Sequence, residues 1–161
     1  MFATNHVLAG VTVGAACPDR PALAFVVGFA THLPMDCCRH WGYPGNAVHD
    51  ARFLRAAVGD ALIGLGVLAG AVVAARRRSR SSVLSVVAGA LGAAVLDVDK
   101  PTLLFFGRNP VPRALQQLHH AVQEGVEAPA YLRRELAWGA ALAVVASLAL
   151  RPRSSSPSAR R

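Results

Sequence analysis

Three long runs of the chain are almost free of charge. Residues 56–75 carry only Asp60, and residues 83–96 and 136–150 carry none. Runs of roughly 15–20 apolar residues match the thickness of a bilayer's hydrocarbon core. Across the 161 residues, hydrophobic types make up 53% and charged types only 16%. About a quarter is usual for the charged types in a soluble domain. The chain therefore reads as all-α, an integral membrane helical bundle of about five helices plus a surface helix. Residues 1–150 form a single domain, and a disordered basic Ser/Pro/Arg tail occupies 151–161. The implied location is a membrane crossed several times, with the lipid bilayer as a partner.

The formal charge of +8 invites a nucleic-acid reading, but the placement of arginine argues against it. Residues 76–80, RRRSR, separate two apolar runs, and Arg151 and Arg153 follow the last one. Arginine at the ends of apolar spans suits lipid headgroups. Lys and Arg divide almost evenly between the two sides of an alternating bundle, too evenly to settle its orientation. Cys17, Cys37 and Cys38 show no CxxC spacing and imply neither a disulfide framework nor a zinc knuckle. Nothing in the pattern sets the oligomeric state.

Helices are expected at about 4–16, 21–41, 52–75, 81–98 and 130–150. Pro34 should kink the second and Pro101 should end the fourth. The segment 113–124, with Leu115, Leu118 and Val122 on one side, should lie on the membrane surface or cap the bundle. Alternating directions bring every histidine, and every acid but Asp19, to one end. Within 28–41, GFATHLPMDCCRHW, residues His32, Asp36 and His40 fall four apart and so stack on one helical face. Ladders of small residues lead to these groups: Gly28 on helix two, Gly10 and Gly14 below His6, Gly64, Gly66 and Gly70 beyond Asp60, and Gly89 and Ala93 before Asp97. Small residues mark close helix packing, so the ionisable groups should point into the bundle.

An ionised group at membrane depth costs at least ~2.5–3.5 kcal/mol on insertion scales, so it usually has a partner and a role. Imidazole and carboxylate together suit a divalent metal, with zinc or manganese favoured. His32, Asp36, Asp60 and Asp97 are the first candidates for ligands, followed by His6 and His40. Asp99 and His119 are candidates for general acid–base work, and Arg52, Arg55 and Lys100 for holding a substrate anion. The chemistry this set suits is hydrolysis of an ester or phosphoester in a small-molecule or lipid-like substrate. Proton or divalent-cation transport is a second reading, and a polar cluster that only locks helix packing is a third.

Residues 5–10, NHVLAG, the run Thr31, His32, Asp36, His40 and Trp41, the Gly59 and Asp60 pair, and residues 97–100, DVDK, together resemble a family. It comprises small bacterial inner-membrane proteins described as membrane-bound metal-dependent hydrolases of unknown substrate. The resemblance covers roughly residues 3–125 and implies a helical protein of the cell's inner (plasma) membrane with His and Asp ligands. Two features depart from the family pattern. The Asp-x-Asp comes late and follows Leu96 where the family has an early proline, and Thr31 and His32 precede Leu33 where the family has serine.

Overall fold

The computed structural model describes residues 1–42, 50–123 and 125–152, so residues 43–49, Glu124 and most of the expected disordered tail lie outside it. The described chain is helical, with no strand. Its elements are α1 (Ala3–Ala16), α2 (Pro21–Asp36), α3 (Ala51–Arg76), α4 (Arg80–Ala94), a 3-10 turn (Val95–Val98), α5 (Asp99–Phe106), α6 (Arg113–Val122) and α7 (Pro129–Ala149).

Local chemistry accounts for the boundaries. Pro21 and Pro129 open α2 and α7, where a missing N–H costs nothing. The Asp50 side chain caps α3 by accepting from the Arg52 N–H at 2.7 Å, which holds its carboxyl below the usual range. Ser79 caps α4 in the same way through the Ser82 N–H. Gly107, at φ 62°, closes α5 in the left-handed conformation that glycine adopts without strain.

Two expectations about proline change. Pro34 lies in the last turn of α2, and the helix stops at Asp36 rather than continuing kinked to 41. Pro101 does not end the fourth helix. The 3-10 turn resets the backbone, and Pro101 then falls in the first turn of α5, where no N–H is needed. The result is one helical stretch, Arg80–Phe106, of 27 residues. It and the 26-residue Ala51–Arg76 are long and apolar enough to cross a membrane. At 1.5 Å per residue each reaches about 40 Å, beyond the ~30 Å hydrocarbon core. By length and composition, then, two of the five expected spans meet the requirement; α1 and α2, at 14 and 16 residues, are short of it.

Helix α4 is the centre of the bundle, with α1 and α2 packed against it. Glycine lets the backbones nearly touch. A Cβ placed on Gly10 or on Gly28 would collide with the Gly89 carbonyl, and one on Gly92 with the Phe25 carbonyl. The small-residue ladders of α1, α2 and α4 are therefore packing faces. That of α3 is not: Gly64 meets Thr4 and Val7, but nothing lies within 4 Å of a Cβ at Gly59, Gly66 or Gly70. Leu8, Val11, Ala15, Ala71, Ala75, Val86, Ala90 and Ala146 make the apolar core. At one end of it Arg78 donates to the carbonyls of Ala15 and Ala149, so part of the basic 76–80 run staples the C-termini of α1 and α7.

Gly89→Val should therefore be severely destabilising, since backbone and not a movable side chain stands in the way. Gly66→Ala should be neutral or stabilise by up to about 1 kcal/mol through helix propensity. Thermal unfolding of both variants in mild detergent checks the contrast; equal Tm values would contradict the close α1–α4–α2 packing.

Candidate metal centre

The glycine contacts bring the polar ends of α1, α2 and the 3-10 turn together. On α2, His32 and Asp36 share a face by their four-residue spacing. His6 of α1 stacks its ring on His32, with centroids 4.0 Å apart and planes 11° apart. α6 closes over the top and inserts His119, edge-on to His32 at 4.8 Å. His6, His32, Asp36 and His119 are all buried.

Their donor atoms converge. Asp36 Oδ1 lies 3.2 Å from His6 Nε2, and Asp36 Oδ2 lies 3.1 Å from His32 Nε2 and 2.9 Å from His119 Nε2. The two nitrogens His32 Nε2 and His119 Nε2 stand 3.1 Å apart. Asp97 approaches from the 3-10 turn, with an oxygen 3.9 Å from His6 Nε2 and another 3.9 Å from His119 Nε2. The terminal ammonium of Met1 also donates to Asp36 Oδ1, at 3.1 Å.

This set fits a metal ion. Ligands bound at ~2.0–2.2 Å on tetrahedral corners are roughly 3.3–3.6 Å from one another, and the separations above bracket that spacing. His6, His32 and Asp36, and likewise His32, Asp97 and His119, place one ligand atom each within 4.8 Å of the others. Proton accounting points the same way. His32 Nδ1–H donates to the Ala93 carbonyl at 2.6 Å, leaving a lone pair on Nε2 in the neutral ring. That lone pair faces an Asp36 oxygen and a second imidazole nitrogen. The meeting with the Asp36 oxygen is repulsive unless His32 takes a further proton or a cation lies between the donors. A backbone carbonyl fixing the far nitrogen is also the usual support of a metal-bound histidine. Asp97 Oδ2 is buried without a hydrogen-bond partner, an acceptor that a cation would satisfy.

Other residues singled out in the sequence fall elsewhere. Asp60 is not part of the group. Its carboxylate accepts from the Ala3 and Thr4 N–H groups at 2.7 and 3.2 Å, so α3 supplies the N-terminal cap of α1. His40 leaves the α2 stripe because the helix has already ended. It is buried beside Gly125, and Nδ1 donates to its own Cys38 carbonyl at 3.0 Å. Burial, with the nearby terminal ammonium, pushes His40 down to about 4, so it is neutral at pH 7. His119, expected as an acid–base group, lies among the buried donors of His32 and Asp36. Asp99 does stand apart, with His120 Nε2 at 3.5 Å and Lys100 Nζ at 3.5 Å. Lys100 also pairs with Asp97 at 3.3 Å. Arg52 is paired with Asp50 and Glu127, and Arg55 Nε donates to the Ala51 carbonyl. Neither lines the cavity described next.

Asp97, Asp99, Lys100 and His120 edge a cavity of about 800 Å³ between α3 and α5. Sequence reasoning also missed Glu135. It is buried in α7 and accepts from the Phe2 N–H at 3.0 Å and from Asn5 Nδ2 at 2.8 Å, fixing the end of α1 that carries His6. An acid beside Arg133 and Arg134, at the edge of the apolar run of the last helix, was the signal. Comparison with protein families, with curated proteins and with solved structures finds no match to this chain.

Protein purified in mild detergent without chelators should hold about one divalent ion per chain, and His32→Ala or Asp36→Ala should lose it. Asp60→Asn should keep the ion while lowering Tm, because Asp60 caps a helix. Elemental mass spectrometry with thermal unfolding reads both. Loss of metal in Asp60→Asn at full stability would mean the wrong ligand set has been assigned.

Proposed function

We propose that this chain is a multi-pass inner-membrane helical bundle that hydrolyses an ester or phosphoester with a divalent ion, zinc or manganese, held by His6, His32, His119 and Asp36. The observation that carries the reading is the convergence of three imidazole nitrogens and a carboxylate, buried, directly behind an open cavity. The bundle's outer surface supports the membrane setting. Phe106 and Leu62 are 74% and 65% exposed, and large apolar side chains on α2, α3, α4, α5 and α7 face outward with them. So much contiguous apolar surface is stable in lipid and an aggregation hazard in water. The resemblance to membrane-bound metal-dependent hydrolases agrees with both parts.

A divalent ion bound there supplies a Lewis acid and brings the pKa of a coordinated water toward neutrality. The chain's own groups do the rest. Asp97 is the carboxylate shared between the cluster and the cavity, and orients what enters. Lys100 Nζ, held by Asp97 and Asp99, offsets negative charge developing on a carbonyl or phosphoryl oxygen. Asp99 and the more exposed His120 form a pair able to carry a proton between the reacting group and solvent. Transport is disfavoured because the polar cluster stops at the apolar core of Leu8, Val11, Val86 and Ala90.

Hydrolysis of p-nitrophenyl butyrate and bis(p-nitrophenyl) phosphate tests the reading. Chelation should abolish turnover and zinc or manganese should restore it. Lys100→Ala should lower kcat by about 100-fold while retaining metal. Metal-loaded protein that cleaves neither probe but takes up the ion into proteoliposomes would replace hydrolysis with transport.

A further inference from the structure

The cavity beside the cluster has two unlike ends. Its long walls are apolar, with Leu54 and Val58 from α3 and Leu104 and Phe105 from α5. Phe105 and Val58 are also 71% and 53% exposed, so the walls run out onto the surface that the membrane reading assigns to lipid. The inner end is polar, at Asp97, Asp99 and Lys100, where the metal cluster begins. An occupant must therefore combine an apolar chain with a polar reacting group.

Size and charge narrow the class. A cavity of about 800 Å³ lies within the roughly 300–1,000 Å³ of small-molecule pockets. One long acyl chain with a small head suits that size, whereas the second chain of a glycerolipid would have to lie outside the walls. Lys100 is already shared by Asp97 and Asp99, and the Met1 ammonium is held by Asp36. An anionic head would have to draw Lys100 from its acids or rely on the bound ion, whereas an uncharged one needs no countercharge.

We infer that the groove between α3 and α5 admits a single-chain, uncharged carboxylic ester from the bilayer, with the acyl chain along the apolar walls and the ester carbonyl at Asp97 and Lys100. This rests on the hydrolase reading and deepens it. Water adds at the acyl carbon, the bond from that carbon to the alkoxy oxygen breaks, and the alcohol leaves with a proton. The acyl chain remains as a carboxylic acid.

The test uses the full chain in nanodiscs, with p-nitrophenyl butyrate, p-nitrophenyl palmitate and hexadecyl phosphate as probes, and a diazirine-bearing palmitate ester for photolabelling. The palmitate ester should show a KM at least ~10-fold below that of the butyrate, and hexadecyl phosphate should compete poorly. Labels should map to residues 53–61 and 103–105. Ala57→Trp and, at another level of the groove, Ala61→Phe should remove the labels and the chain-length preference while metal content stays at the wild-type value. Two positions guard against one variant failing to fold. Metal-dependent cleavage with no chain-length preference, or labels spread evenly over α2, α4 and α7, would overturn the groove and leave the hydrolase standing. Groove labelling by protein that binds no metal would do the reverse. Tight competition by hexadecyl phosphate would overturn the uncharged head.

Discussion

The backbone contact of α4 with α1 and α2 is the constraint on which the rest depends. Gly89 is met from two sides, by Gly10 and by Gly28, with no room for a side chain at any of the three. Helices that approach this closely gain dispersion and weak Cα–H···O contacts along their length. The approach also sets positions one turn farther on. His6 is four residues before Gly10, His32 four after Gly28, and Ala93 four after Gly89. The three groups consequently arrive together, with imidazole rings stacked and the Ala93 carbonyl in reach of His32. A methyl group at the crossing would separate the helices and with them the donors.

Burying this cluster is costly in either protonation state, and the surrounding structure is arranged to hold it. Asp36 is shared by three imidazoles, so no one pair satisfies it and none can be removed without leaving another group exposed to an apolar medium. The end of α1 that bears His6 is fixed twice more, by Asp60 from α3 and Glu135 from α7. Both outer helices thus act on the cluster through α1 and not by direct contact. Rigid placement of this kind is what a metal site needs and what a merely cohesive polar contact does not.

The helical class, the approximate helix positions and the gathering of ionisable groups at one end were all legible in sequence. They depend on local periodicity and on the alternation of direction, which are properties of the chain itself. The His32 and Asp36 pairing was legible for the same reason. His40 was not, because a spacing of four has meaning only while the helix lasts, and α2 ends with the turn containing Pro34. Asp60 was grouped with the ligands because an acid inside an apolar helix looks alike whether it binds a metal or caps a neighbour. Only the position of Ala3 and Thr4 decides that. His119 and Glu135 depend on how α6 and α7 close on α1 and α2, a tertiary matter on which local pattern is silent.

The division of labour between the two ends of the bundle follows from these constraints. At the Arg78 end a single guanidinium closes two helix termini, and the core beyond it is apolar. At the other end α6, capping the bundle, adds the fourth donor. The 3-10 turn carries Asp97 to the cluster, and Leu104 and Phe105 beyond it wall a cavity. A regular α-helix through this point would lose a backbone hydrogen bond at Pro101, which the 3-10 turn avoids. The irregular turn between α4 and α5 is accordingly where the buried donors and the outward-facing apolar walls meet.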